Sequence, residues 1–180
     1  LGDGDFVKVP VERLTSSAYA DKLRDKIDRD KTKGVKSYGS TKPPKDDSGT
    51  THVSILDTRG NMLACTSTVN TSFGSMVYVP EWGLILNNEM DDFVAEPGVP
   101  NAYGLIGSEA NAVAPGAVPL SSMSPTILLS PDEQTRIVVG ASGGPFIISS
   151  TVQAIVNVID FEMEPSQAVT EPRMHHQWAP

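Results

Sequence analysis

The spacing of apolar residues changes along the chain from a helical period to an alternating one. In the first part, four large apolar residues recur at near-helical spacing, with lysines and aspartates between them: Leu14, Tyr19, Leu23 and Ile27. This pattern predicts a helix over about residues 10–30. The next stretch, 30–49, contains lysines, prolines, glycines and serines but few large apolar groups. We expect it to be a mobile linker.

From Thr50 onward, apolar and polar residues alternate, which is the period of a β-strand. A turn sequence at 57–61 and a second alternating stretch, Met62–Val69, predict that the two strands form a hairpin. In the return strand Thr66, Thr68 and Asn70 share one face, so their polar groups could converge on the start of the first strand. A solvent-facing row of threonines on an edge strand explains the same pattern equally well.

The second half of the chain combines short strands, loops and one long helix. Three further strands are predicted, with a long irregular loop at 95–117 after the first of them: Trp82–Leu86, Pro125–Leu129 and Arg136–Gly140. Residues 145–161 predict a helix, and five residues are expected on its apolar face: Ile148, Val152, Ile155, Val156 and Ile159. The predicted fold is therefore α+β with antiparallel sheets.

The junction Gly49-Thr50 is the first candidate for chemistry. A threonine hydroxyl is a poor nucleophile near neutral pH, and a free α-amino group on the same residue can act as its base. That amine would exist only after cleavage of the bond between Gly49 and Thr50. For these residues taken alone, an ordinary loop-to-strand junction is the more common explanation.

A glycine pair lies between a predicted strand and the predicted long helix. Gly143 and Gly144 precede Pro145, which suits a first helical turn. Their N–H groups would then lie at the positive end of the helix dipole, where an anion or oxyanion can bind. A tight strand-to-helix turn without a ligand is the alternative, and the glycine pair alone favours it.

Composition narrows the possible function classes. The chain has 180 residues, 39% of them hydrophobic, which suits a globular domain, and its apolar runs are too short for a membrane span, so we expect no membrane contact. The net charge is −8, and eleven of the fourteen Lys and Arg residues precede Thr50. The acidic remainder argues against nucleic-acid binding and suits a substrate with an ammonium group. The single cysteine, Cys65, excludes an intramolecular disulfide and is expected to be a buried, inert thiol.

Six motifs follow one another along the chain: Thr50-Thr51-His52, Thr68-Val69-Asn70, Leu86–Phe93, Pro119–Thr126, Gly143-Gly144 and Pro172–Gln177. Together they resemble the γ-glutamyltransferase (γ-glutamyltranspeptidase) family of N-terminal-nucleophile hydrolases. The resemblance implies an enzyme that takes the γ-glutamyl group from glutathione or another γ-glutamyl compound. The acceptor would be water, an amino acid or a peptide, and no cofactor or metal is implied.

The resemblance also implies roles for individual residues. The hydroxyl of Thr50 would first attack the Gly49 carbonyl in autocleavage and later the γ-glutamyl carbonyl, while Thr68 holds it by a hydrogen bond. Gly143 and Gly144 would supply the N–H groups of an oxyanion hole. The substrate would be held at both ends, its α-ammonium by Asn70, Glu89 and Asp92, and its α-carboxylate by Ser121 and Ser122.

The family fold is a four-layer αββα sandwich, of which this chain would supply part. Residues 1–49 would form the C-terminal end of a large subunit, and residues 50–180 the main part of a small catalytic subunit. The remainder of the large subunit would then be a partner, and the segment alone could lack activity. Localisation does not follow from these residues, and the resemblance suggests a periplasmic, secreted or extracellular-facing protein.

Two other functions fit the same resemblance. One is a related acylase of the cephalosporin-acylase type, although Glu89, Asp92 and the serine pair suit a zwitterionic glutamyl group better. The other is an unprocessed or truncated chain without activity.

Several candidate residues have further explanations. Asn70-Thr71-Ser72 is also a glycosylation sequon. Four neighbouring residues could bind a divalent cation, although their sequence defines no ligand geometry: Asn88, Glu89, Asp91 and Asp92. His175-His176 could suggest a metal site, but adjacent side chains point apart, so packing is the better explanation. His52 is assigned no catalytic role, because alternation directs its side chain away from those of its two neighbours.

Overall fold

The computed structural model describes residues 2–31 and 49–176. Within those ranges its α-helices are α1 (Val11–Leu14), α2 (Ser17–Arg24), α3 (Phe146–Ile159) and α4 (Pro165–Thr170). Its strands are β1 (Thr50–Leu56), β2 (Met62–Thr68), β3 (Tyr78–Val79), β4 (Leu84–Ile85), β5 (Thr126–Leu129) and β6 (Arg136–Val139). The strands pair as three antiparallel two-stranded sheets, β1 with β2, β3 with β4 and β5 with β6. The predicted α+β class is confirmed, while the expected linker lies almost entirely outside the described residues.

The chain divides into two compact units. The first comprises Leu1–Pro43, Asp91–Leu120 and His176–Pro180, and the second comprises Pro44–Met90 and Ser121–His175. This division concerns packing, so it neither places nor excludes a cleavage after residue 49. The expected subunit boundary stays a prediction.

In the first unit, two short helices replace the single helix predicted over 10–30. Ser16 lies between them in an extended conformation, and its Oγ accepts a hydrogen bond from the N–H of Tyr19 at 3.2 Å. This contact caps the N-terminus of α2 and therefore interrupts the helix despite the continuous apolar spacing. The helix also ends at Arg24, so the prediction was wrong in continuity and in length.

The other part of the first unit is largely irregular, as predicted for residues 95–117. Its buried apolar residues include Phe93, Val94 and Tyr103. A parallel bridge joins Val94 to Ala112. The buried Asn111 donates its side-chain N–H to the backbone oxygen of Asp92 at 2.7 Å and accepts the N–H of Leu120 at 3.1 Å. These contacts tie both ends of the long loop together.

In the second unit, the predicted hairpin is confirmed. Thr50 lies opposite Thr68, and Val53 lies opposite Cys65. Strand β6 packs beside β1 and β2. Cys65 is exposed, so the expectation of a buried thiol was wrong. The cause is its face of the hairpin, which it shares with Val53, a residue that is also exposed.

Helix α3 begins and ends close to the predicted positions, but its buried side is different. The buried residues are Ile147, Thr151 and Ala154, whereas Ile148 and Val152, from the predicted apolar face, are 50% and 53% exposed. Isoleucine and valine occupy both sides of this helix, so its sequence pattern does not select one face.

The short elements of the second unit were predicted less completely. The strand expected at 82–86 is the two-residue β4, and its partner β3 was not predicted. The strands expected at 125–129 and 136–140 are β5 and β6. Helix α4 was also missed, although Pro165 at its first position is a recognised start signal.

Candidate active site

The start of β1 and the end of β2 bring two threonine hydroxyls together. The Oγ1 atoms of Thr50 and Thr68 are 3.0 Å apart, because the two residues are cross-strand partners. The Thr68 hydroxyl donates to the carbonyl oxygen of Gly49 at 3.2 Å. Since a hydroxyl has one proton, Thr50 is the donor in the Thr50–Thr68 hydrogen bond whenever Thr68 donates to Gly49. The backbone N–H of Asn70 also donates to Thr68 Oγ1, at 2.8 Å.

The Gly49 carbonyl accepts a second hydrogen bond, from the N–H of Val69 at 3.1 Å. Two donors on one carbonyl oxygen polarise its carbon toward nucleophilic attack. A Cβ at position 49 would overlap the backbone carbonyl oxygens of Asn70 and Thr71. Glycine therefore fits this position where a side chain would displace the junction from β2.

Asn70 follows β2 and is 4% exposed, with a φ of 72° that asparagine tolerates better than most residues. Its side-chain N–H donates to the backbone oxygen of Asn88 at 3.1 Å. Asn88 Oδ1 in turn accepts hydrogen bonds from the backbone N–H and the hydroxyl of Thr71, both at 3.1 Å. In this conformation Asn70 is inaccessible to a glycosylating enzyme. These positioning contacts of Asn88 were not predicted from the sequence, which placed this residue in the Leu86–Phe93 motif and in a possible cation site.

Glu89 follows Asn88 directly and is half-buried, with its Oε1 atom shielded from solvent. It begins the short 3-10 helix Glu89–Asp92, and its N–H donates to Asn87 Oδ1 at 3.0 Å. Asp92 is also half-buried but belongs to the first unit. Among the described residues, no group of three or more histidine, cysteine or acidic side chains is placed to hold a metal ion.

The glycine pair forms the entry to α3. Gly143 and Gly144 have φ values of 122° and 52°, which favour glycine. Their carbonyls accept the N–H groups of Phe146 at 3.0 Å and Ile147 at 3.1 Å, so they start the helix. The predicted strand, glycine pair and helix therefore occur in this order.

Ser121 is exposed and Ser122 is half-buried. The Ser121 hydroxyl accepts the N–H of Met123 at 3.1 Å. All predicted site residues except Asp92 belong to the second unit. Direct hydrogen bonds link four of them: Gly49, Thr50, Thr68 and Asn70.

His175 has a packing role, as the sequence favoured. Its Nδ1 atom is 2.8 Å from Ser149 Oγ, and its ring lies 4.2 Å from the ring of Phe146, measured between centroids. Both partners are in α3, so His175 anchors the segment after α4 to that helix.

Among the described residues, no helix is long and apolar enough to cross a membrane.

Comparison with protein families gives a match to gamma-glutamyltranspeptidase over residues 1–180. The chain is 49% identical over 181 residues to a glutathione hydrolase proenzyme of Escherichia coli (strain K12), covering 100% of this chain and 31% of that protein. It is 40% identical over 183 residues to an Arabidopsis thaliana protein named as an inactive glutathione hydrolase 4, covering 100% and 95%. The chain thus spans about a third of the first relative and nearly all of the second.

Solved structures give the same grouping. A variant of Helicobacter pylori gamma-glutamyltranspeptidase aligns with a TM-score of 0.68 at 50% sequence identity, covering 71% of this chain and 68% of that one. The Pseudomonas nitroreducens gamma-glutamyltranspeptidase complexed with L-DON aligns with a TM-score of 0.67 at 47% identity, covering 71% and 65%.

Proposed function

Because this chain belongs to the γ-glutamyltranspeptidase family, we propose that it carries the nucleophile of an enzyme that removes the γ-glutamyl group from glutathione and related amides. The group would be held as an ester on Thr50 and passed to water, an amino acid or a peptide. The observation that carries this proposal is the pair of hydroxyls, Thr50 and Thr68, beside the Gly49 carbonyl.

The first step would be cleavage of the chain itself. Thr50 Oγ1 attacks the Gly49 carbonyl carbon, and the oxygen that becomes negative is stabilised by the Val69 N–H and the Thr68 hydroxyl. The C–N bond breaks, the hydroxyl proton moves to the nitrogen, and an ester joins Gly49 to Thr50. Water then hydrolyses the ester, which leaves a carboxylate on Gly49 and a free amine on Thr50.

The amine would then serve as the base in turnover. An α-amino group has a pKa of about 7.7–8, so it can accept the Thr50 hydroxyl proton near neutral pH. Gly143 and Gly144 would donate N–H groups to the oxyanion formed from the γ-glutamyl carbonyl, and one such donor contributes about 2.7–4 kcal/mol. All these groups belong to the chain, so the proposal needs no cofactor.

The two ends of the glutamyl group would be recognised by opposite chemistry. Carboxylates of Glu89 and Asp92, with the Asn70 amide, suit an ammonium group, and the hydroxyls of Ser121 and Ser122 suit a carboxylate. The half-burial of Glu89 supports this proposal, because partial burial strengthens a charge–charge contact. An acylase with a different acyl group is not favoured, since the E. coli relative is named as a glutathione hydrolase.

We further propose that the chain forms part of an αββα sandwich, completed by the remainder of a large subunit. The short, two-stranded sheets support this proposal, because isolated hairpins are marginally stable and gain stability from added strands. Residues 1–49 would end the large subunit, and 50–180 would form most of the small subunit.

The test is to substitute the proposed nucleophile. The variant is made in this chain together with any further residues that its gene encodes. Thr50→Ala is expected to abolish both cleavage after Gly49, measured by intact mass, and turnover of γ-glutamyl-p-nitroanilide. Thr51→Ala is the matched control, because Thr51 is exposed on the opposite strand face, and it should retain activity. Turnover by the Thr50→Ala variant would refute the proposal.

A second candidate is an uncleaved chain without activity. The Arabidopsis relative suggests it, because that protein is named as an inactive glutathione hydrolase. Intact mass separates the two. A protein that remains in one piece through residues 49 and 50, and does not turn over the substrate, would establish this second candidate.

A further inference from the structure

His52 occupies the same face of β1 as Thr50, because alternate residues of a strand share a face. Its Nδ1 atom is 2.7 Å from Thr66 Oγ1, and its Nε2 atom is 3.0 Å from Ser54 Oγ. Thr66 is the cross-strand partner of His52, as Thr68 is of Thr50. The imidazole therefore joins β1 to β2 at the pair next to the two threonine hydroxyls on that face.

The His52 ring also contacts Gly140. A Cβ built on Gly140 would overlap the Cε1, Nδ1 and Cγ atoms of the ring. The φ of Gly140 is outside the left-handed region, so it is the space taken by the ring that requires glycine here. Gly140 follows β6 directly and lies three residues before Gly143.

We propose that His52 is a positioning residue that sets the separation between Thr50 and the Gly143–Gly144 loop. The inference rests on the function proposed above. Attack on a carbonyl requires the nucleophile and the oxyanion donors to meet one substrate group at once, with donors about 2.7–3.1 Å from the oxygen. Thr50 begins β1, the glycine pair comes after the end of β6, and the His52 ring of β1 packs against Gly140 between them in the chain.

Two hydrogen bonds hold the ring in one orientation, so the space that the ring occupies sets the distance between β1 and Gly140. His52 is not a catalytic residue in this proposal, because it acts through Thr50 and Gly140. Its loss should lower kcat more than it raises KM, since the groups proposed to hold the glutamyl ends are elsewhere. A misplacement of about 1 Å can reduce turnover by about a hundredfold.

A double-mutant cycle between the ring and the glycine tests this. His52→Ala removes the spacer, and Gly140→Ala adds a methyl group where the ring lies, so each is expected to lower kcat by about ten- to a hundredfold. In the double variant the methyl enters the space that the ring has left. Its kcat should therefore be no lower than that of His52→Ala alone, which is a strongly non-additive result.

Two variants separate positioning from general packing. His52→Asn keeps an amide near the Nδ1 position and should recover part of the kcat lost in His52→Ala. Gly4→Ala is the control for a glycine-to-alanine change, because a methyl there meets nothing within 4 Å and its φ is not left-handed. It should leave kcat unchanged.

The measurements are kcat and KM for γ-glutamyl-p-nitroanilide, normalised to folded protein cleaved after Gly49. An inactive wild-type protein would contradict the proposed function, and this role of His52 with it. With an active wild type, a His52→Ala kcat within about twofold of wild type, or additive effects in the cycle, would overturn only the positioning role. If those variants do not fold, Thr66→Val removes one partner of the ring and keeps its volume; an unchanged kcat there would also overturn it.

Discussion

At the scale of single residues, the hydroxyl of Thr68 is the centre of the candidate site. When its one proton is donated to Gly49 O, its oxygen accepts from the Thr50 hydroxyl and from the Asn70 N–H. Once Gly49 leaves, that proton becomes available to Thr50. We therefore expect Thr68 to assist cleavage as a donor to the scissile carbonyl and to orient the nucleophile during turnover.

Substitution of Thr68 should consequently affect both steps. Thr68→Val keeps the shape of the side chain and removes the hydroxyl, so cleavage after Gly49 is expected to slow about a hundredfold, as for one lost oxyanion donor. Thr68→Ser keeps the hydroxyl and should cleave at nearly the wild-type rate. Intact mass followed over time gives the rate, and wild-type cleavage by Thr68→Val would show that the hydroxyl has no role.

The approach of Thr50 to Thr68 was predictable from sequence, whereas the contacts of Asn88 and His52 were not. Alternation and the turn together define the register of a hairpin, so the threonines had to be neighbours once the turn was recognised. Asn88 joins segments that follow two different strands, and His52 packs on Gly140 after a third. Such contacts depend on how separate elements pack, which local patterns do not encode.

At the scale of elements, the β1–β2 turn is held by one carboxylate. Asp57 accepts hydrogen bonds from the side-chain N–H of Asn61 at 2.7 Å, the backbone N–H of Asn61 at 2.8 Å and the N–H of Arg59 at 2.8 Å. These bonds, the Asn61 side-chain bond first, lower the pKa of the Asp57 carboxyl from its usual value. The ionised carboxylate is thus the form that stabilises the hairpin.

The sign of the resulting pH dependence follows from this lowered pKa. The stabilisation is present above the unfolded pKa, about 3.9 for aspartate, and is lost as pH falls through the lower folded pKa. Thermal unfolding of the wild type and Asp57→Asn should therefore differ near neutral pH and converge in acid. Asp160→Asn, after the end of α3, is the control; a wild-type advantage that persists unchanged below the folded pKa would contradict this assignment.

The hairpin and α3 show which properties of an element can be predicted from local sequence: its type and approximate length. Alternation and a polar turn were sufficient for β1 and β2, and the apolar run after Pro145 was sufficient for the length of α3. The buried side of α3 was predicted wrongly because isoleucines such as Ile147 and Ile148 lie on both sides. The helix predicted over 10–30 was interrupted by the cap at Ser16. Which side of a helix is buried depends on the elements that pack against it, and a cap depends on a side-chain hydrogen bond. The spacing of apolar residues specifies neither.

At the scale of the whole molecule, the hairpin has an apolar face opposite to that of Thr50. Val53, Ile55 and Leu63 are 47%, 48% and 49% exposed. Adjacent exposed apolar residues of this kind are typical of surfaces that contact further protein. The chain also spans only about a third of the E. coli relative, which is consistent with the proposal that additional chain packs on this sheet.

The 180-residue chain prepared by itself should therefore associate through this face. Val53→Thr combined with Ile55→Thr keeps the β-propensity of both positions and removes apolar surface, so the double variant is expected to be monomeric at concentrations where the wild type associates. Sedimentation velocity measures the association, and binding of an apolar dye should fall in parallel. Met174→Thr is the control, because Met174 is 83% exposed and lies outside the hairpin. Equal association by the double variant and the wild type would show that another surface is responsible.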